Sequence, residues 1–308
     1  MKKQLLTLTS SLLIAVTGCK GSGTQDQYNL SILCPKGGPT LALYNHVEET
    51  TYAQQPTLVK ANFELNDYDV LVFDFYNGLK ACKQYGNYKL ARIVTAGNLF
   101  LVGINHTEEP VSTSRIVSFG RGLLPDLAFK ELYGAIDARV DYVDGVSDIA
   151  PIMKTGKYAG EDIDYVVVSE PIITTVFDSL ADTSKYTVFS LREKWEEEKG
   201  EGHKIPQAGL FINTSAYSAH GSEFDTFLSN LDNEIDSAIS NPTLIKEAFE
   251  KVGDEAAQKD KFSIDAQKAY KITLNGNGVG IVKDYNKTDI SSFLSDINIE
   301  EDYSSVIL

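Results

Sequence analysis

Apolar, β-branched runs that stop abruptly at small or polar residues recur along this chain, and each is followed by a segment with helical spacing. The clearest rises through Ile163, Tyr165, Val166, Val167 and Val168, breaks at Ser169-Glu170-Pro171 and resumes as Ile172-Ile173-Thr174-Thr175. An unbroken apolar run predicts a strand buried on both faces, as in parallel sheets, and Pro171 suits a first helical position because its missing N–H is not needed there. Ser169 and Glu170 then face the crevice beyond the strand's carboxyl end, where open α/β sheets take ligands.

Three further mouths of this kind precede it. Tyr28 to Cys34 is predicted as a strand, and Pro35-Lys36-Gly37-Gly38-Pro39 follows as a loop whose backbone N–H groups can point at a ligand. Asp69 to Phe73 is the next strand. It ends at Asp74-Phe75-Tyr76-Asn77-Gly78, where Tyr76 offers a flat face and Asp74 or Asn77 a polar edge. Strands from Tyr88 to Thr95 and from Gly97 to Gly103 nearly abut, and a polar break from Ile104 to Ser114 marks a passage into a second lobe. There a strand from Arg115 to Ser118 opens through Phe119-Gly120-Arg121-Gly122 onto a helix from Pro125 to Tyr133. The loop lacks the third glycine of a dinucleotide fingerprint, so it reads as a generic anion or carbonyl contact with Arg121 available. A strand from Ala138 to Val143 and a helix from Asp148 to Lys154 lead into the Ser-Glu-Pro unit, and Tyr186 to Leu191 is the lobe's last strand. The charged segment Arg192 to Lys199 is expected on the surface, with Trp195 used for packing. Ile205 to Ile212 returns extended and helices follow to Tyr270. The tail from Asp284 to Leu308 reads as a closing helix and a loose end.

The first 19 residues belong to no fold. Met1-Lys2-Lys3, an apolar stretch from Leu5 to Val16 too short to span a bilayer, and Val16-Thr17-Gly18-Cys19 resemble a bacterial lipoprotein signal with its lipobox. That resemblance implies loss of residues 1–18 and diacylglyceryl modification of Cys19, with the protein tethered to the outer side of the cytoplasmic membrane. Residues 20–27 lack apolar content and read as a flexible spacer. The remainder, with 43% hydrophobic residues across the chain, can fill one large domain or two lobes. Loss of Lys2 and Lys3 takes the formal charge from −15 to −17, which argues against nucleic acid and anionic lipid surfaces as partners. Cys34 and Cys82 sit in apolar segments that suit two buried thiols, while one disulfide is open to them outside the cell.

Taken in order, several segments resemble the substrate-binding lipoproteins of bacterial ABC importers. They are Cys34-Pro35-Lys36-Gly37-Gly38-Pro39-Thr40-Leu41-Ala42-Leu43, Asp69 to Leu79, Tyr88 to Ala91 with Gly97 to Val102, Gly120-Arg121-Gly122 with Pro125-Asp126, Ser169-Glu170-Pro171 and Ile205-Pro206-Gln207. The branch is that of nitrate, sulfonate, taurine and thiamine-precursor binding proteins, and the likeness runs over most of residues 29–260. It implies an α/β, two-lobed type 2 periplasmic-binding-protein fold, with a ligand cleft between the lobes and two crossover strands, Leu99 to Gly103 outward and Ala208 to Ile212 back. Lobe 1 would comprise residues 28–103 and 208–308, and lobe 2 residues 104–207. The resemblance also implies a lipid-anchored, extracytoplasmic monomer that captures a small solute by hinge closure and delivers it to a membrane permease with its ATPase. Where such proteins usually carry Pro-Thr after the second strand, this chain has Asp74-Phe75-Tyr76-Asn77, so no particular ligand carries over. The aromatic cluster favours a ring-bearing solute, such as a vitamin or its precursor, over nitrate. Candidate contacts are Lys36, Gly37, Gly38, Asp74, Tyr76, Asn77, Asn98, Arg121 and Glu170.

Catalytic signals are weak. His46, His106, His203 and His220 are scattered, without the spacing of a zinc site or of a Ser-His or Cys-His couple, so neither a metal nor a cofactor is expected. Asp74 and Glu170 can form an acid–base pair across the cleft, but binding is the commoner use of such carboxylates. An enzyme is therefore not expected. Two alternatives stay open: a surface scaffold or adhesin, which a cleft filled by side chains would favour, and an enzyme on the same fold, against which the lipobox counts.

Overall fold

A computed structural model describes residues 28–276 and 287–308; the predicted signal, Cys19 and spacer lie outside them. The strands are β1 (Ile32–Pro35), β2 (Thr50–Ala53), β3 (Val70–Asp74), β4 (Tyr88–Ala96), β5 (Phe100–Ile104), β6 (Arg115–Phe119), β7 (Arg139–Val143), β8 (Lys157–Tyr158), β9 (Glu161–Asp162), β10 (Tyr165–Val168), β11 (Tyr186–Ser190) and β12 (Pro206–Asn213). One sheet has the order β2-β1-β3-β12-β4 and a second β11-β5-β10-β6-β7, while β8 and β9 form a small hairpin. In the first sheet β1 runs parallel to β2 and β3, and β12 antiparallel to β3 and β4. In the second, β6 runs parallel to β10 and β7, and β5 antiparallel to β10 and β11.

The apolar runs are explained by what covers them. Leu33, Leu71, Phe73 and Phe211 enter one core, and their neighbours Ile32, Cys34, Val70, Val72, Leu210 and Ile212 enter another. Successive strand residues face opposite ways, so a strand covered on both faces shows no polar positions. Helices α1 (Pro56–Leu65) and α2 (Phe75–Tyr85) supply Val59, Phe63 and Leu79 to the first core. The second sheet carries α3 (Leu124–Tyr133), α4 (Ile149–Thr155), α5 (Ile172–Asp178) and α6 (Leu191–Lys199). The opposite face of the first sheet lies under Phe224, Leu228, Leu231 and Ile235 of α8 (Gly221–Ser240), which follows the short α7 (Thr214–Ala219). Helices α9 (Thr243–Glu250), α10 (Glu255–Phe262) and α11 (Ala266–Leu274) pack their own apolar cluster against the 3-10 turn Gly38–Leu43 that follows β1.

The chain passes from the first sheet to the second through Gly97-Asn98-Leu99. Strand β5, expected with the first lobe, pairs instead with β10 and β11 in the second. Its apolar residues suit either sheet, and partners from later in the chain decide between them. Gly97 has φ +67, and a Cβ there would lie 2.6 Å from the Arg192 side chain, so this tight passage requires glycine. The charged segment after β11 is the helix α6, whose Trp195 is only 1% exposed, as packing requires.

The tail is not loose. Helix α12 (Lys287–Asp296) sets Phe293 between Phe75 of α2 and Trp195 of α6, with ring centroids 6.2 and 5.4 Å away. Ile297, Tyr303, Val306 and Ile307 are buried beyond it, and the Leu308 N–H donates to the Leu90 carbonyl of β4 at 2.9 Å. The tail thus ties both lobes into one apolar cluster. Cys34 and Cys82 are free and buried, and burial pushes both thiols far above their usual pKa.

Candidate functional site

Residues that follow the strands face each other between the sheets in two pairs, β1 with β10 and β3 with β6. Gly38, after β1, approaches the second lobe so closely that a Cβ on it would lie 3.6 Å from Asn98 Nδ2 and 3.9 Å from the Glu170 carbonyl oxygen. Tyr76, after β3, lines a cavity of about 470 Å³ with Lys80, with Gly122, Leu127, Lys130 and Glu131 of the other lobe, and with Ile297, Asn298 and Ile299 of the tail.

At the crossing between the sheets, Asn98 is buried and bonded on both sides. Its Oδ1 accepts from the Glu170 N–H at 2.7 Å and its Nδ2 donates to the Glu170 carbonyl at 3.3 Å. The Gln207 amide, at the start of β12, accepts from the Asn98 N–H and donates to the Asn98 carbonyl at 2.9 Å. One amide side chain therefore joins the outward passage to the β10 mouth, and a second joins it to the returning strand.

In each mouth a backbone donor expected to face a ligand is already bonded within the chain. The Gly37 N–H donates to the Phe262 carbonyl of α10 at 2.8 Å, and Lys36 Nζ reaches the Asp260 carbonyl of the same helix. Asp74 is the N-cap of α2 and accepts from the Asn77 N–H at 2.8 Å. Burial raises the Asp74 carboxyl above the usual range, against the pull of Asn77's donors and of Lys80. After β6, fully buried Asp126 accepts from the Gly122 N–H at 2.7 Å, Lys130 Nζ at 2.8 Å and the Tyr142 hydroxyl at 2.7 Å. After β10, the buried Glu170 carboxylate turns onto α5, accepting from the Thr174 N–H at 3.1 Å and its hydroxyl at 2.7 Å. Pro171, joined to Glu170 by a cis peptide bond, stands at the N-cap, one place before the expected first helical position.

Gly38, Asn98 and Glu170 are thus brought together. Asp74 lies beside the start of β12, where it pairs with Ala208, next to the Gln207 that holds Asn98, and it holds the Asn77 N–H; Tyr76 faces the cavity shared with Gly122. Lys36 is drawn to α10, and the Arg121 guanidinium lies over the Tyr142 ring at 5.0 Å. Tyr76 is already engaged: Lys80 Nζ sits 4.1 Å above its ring and Tyr303 meets it edge-on at 6.1 Å. Gln207, Asp126, Lys80 and the tail were not among the candidates. Gln207 and Asp126 stand in the Ile-Pro-Gln and Pro-Asp segments that carry the resemblance, and Lys80 lies one helical turn from Tyr76. Nothing local places residues 297–299 in the crevice.

Two α/β sheets joined by a short crossing, with strand ends facing one another, make this a type 2 periplasmic-binding-protein fold. No protein-family model matches the chain, and no curated protein matches it in sequence. Its structure is similar to that of an ABC transporter from Parabacteroides distasonis, with TM-score 0.64 and 15% identity over 91% of this chain and 98% of that one. It is also similar to the periplasmic aliphatic sulphonate binding protein SsuA from Escherichia coli, with TM-score 0.63 and 9% identity over 91% of each chain. The alkanesulfonate-binding protein SsuA from Xanthomonas axonopodis pv. citri, bound to MOPS, gives TM-score 0.57 and 11% identity over 90% of this chain and 96% of that one. At such identities the likeness is one of fold.

Proposed function

We propose that the protein is the solute-binding component of an ABC importer, held by a lipid on Cys19 at the outer face of the cell membrane. In this reading lobe closure about Gly97-Asn98-Leu99 captures a small organic solute, and the closed form delivers it to a permease. The observation that carries the reading is that strand-to-helix mouths of the two sheets face each other in pairs, Gly38 against Glu170, and Tyr76 with Gly122 around a cavity of about 470 Å³. Sites of that size suit small organic ligands. Similarity in fold to transport-system proteins supports it.

The test is a thermal-shift screen of the full chain in neutral detergent against vitamins, pyrimidines, sulfonates, nitrate and amino acids. A ligand at 100 times its Kd adds about 2.7 kcal/mol of stability, a clear rise in Tm. A folded protein that no solute stabilises would move the assignment to a surface scaffold. That second reading is favoured by the tail, whose Ile297, Asn298 and Ile299 form part of the cavity wall.

A further inference from the structure

The four mouths share a property that bears on the kind of solute admitted. Backbone N–H groups at strand-to-helix turns ordinarily form ready sites for an oxyanion. Here those of Gly37, Asn77, Gly122 and Thr174 are already bonded, three of them to carboxylates of the chain itself, Asp74, Asp126 and Glu170. Asp126 is the fullest case. It is completely buried directly behind the cavity wall, and its two oxygens take the Gly122 N–H, the Lys130 ammonium and the Tyr142 hydroxyl. An incoming sulfonate or nitrate would find these donors occupied by carboxylates of the chain.

The nearby cations each have a partner within the chain, two of them an oxygen atom and two an aromatic ring. Lys130 answers Asp126, Lys36 reaches the Asp260 carbonyl, Arg121 lies over Tyr142 and Lys80 over Tyr76. Arg192, folded over Gly97, donates to the Gly276 carbonyl at 2.8 Å. The chain as a whole carries a formal charge of −15, which attracts cations and repels anions approaching from solution.

Resting on the binding-protein reading, we propose that the cleft selects an uncharged or cationic organic solute and excludes oxyanions, and that Asp126 sets this selection. Discrimination of this kind works by placing a repulsive group where the wrong ligand would bind, as well as by attracting the right one.

The experiment has two arms on the full chain in neutral detergent. In the first, the protein is equilibrated with a library balanced between sulfonates and carboxylates, amides and alcohols, and quaternary and primary amines, and native mass spectrometry reads the mass retained. An uncharged or cationic solute is expected. A retained oxyanion would overturn the selection and leave the binding reading intact, whereas retention of nothing would overturn the binding reading and the selection with it. In the second, calorimetry compares ethanesulfonate binding to the wild type, Asp126→Ala and the isosteric Asp126→Asn, which serves alone should the alanine variant not fold. Removing the internal charge should strengthen ethanesulfonate binding about tenfold or more. Equal binding by wild type and variants would show that Asp126 does not set the selection.

Discussion

Asp74 joins strand β3 to helix α2, and its position sets two demands against each other. Its Oδ1 answers an N–H that the helix cannot satisfy internally, while its burial disfavours the charge. Asp74→Ala should cost about 1 kcal/mol through loss of the cap, whereas Asp74→Asn keeps an acceptor and removes the charge. Because the folded-state pKa is raised, the associated stability is present at low pH and is lost as pH rises through that pKa. The asparagine variant lacks this loss. Urea unfolding from about pH 4 to about pH 8 should therefore show Asp74→Asn gaining on the wild type as pH rises, and a constant difference would refute the assignment. The candidate residues near Asp74 were legible because acid, aromatic and amide side chains concentrate where a strand ends. The direction each takes was not, because it depends on partners distant in the chain, such as Phe262 for Gly37, or on a choice among nearby donors, such as Thr174 for Glu170.

At the scale of elements, α12 matters most. Phe293 is buried between rings of both lobes, so Phe293→Ala should remove about 3–5 kcal/mol and lower Tm. A double-mutant cycle with Trp195→Ala measures the link directly: a coupling near zero would mean that the two rings do not act together. The long apolar strands and α8 follow from their periodicity. Shorter elements escape it. In α1, Val59 and Phe63 are buried but Leu58 and Leu65 are 54% and 61% exposed, which blurs the stripe that would reveal a helix. Strands β8 and β9 have two residues each, too few for any period to show. The tail beyond α12 has buried residues at Ile297, Tyr303, Val306 and Ile307, spaced to fit the surface of the other elements and not a period of its own.

For the whole molecule, Asn98 is the point where lobe position is held. Asn98→Ala leaves the Glu170 N–H without its acceptor, and each buried group so orphaned costs about 1–3 kcal/mol. The variant should scatter X-rays as a more open particle than the wild type; superimposable curves would show that the hinge does not depend on this amide. The order of the strands, their burial on both faces and the clustering of glycine, acid and aromatic residues at their ends are local properties, set by period-2 geometry and backbone preference, and the sequence by itself determined them. Which sheet β5 joins, where the tail docks and that Asp126 and Glu170 turn back onto their own loops were decided by the tertiary structure. Each depends on groups distant in the chain or on a choice among several nearby donors, and the packed fold makes that choice by burying one arrangement and satisfying its hydrogen bonds.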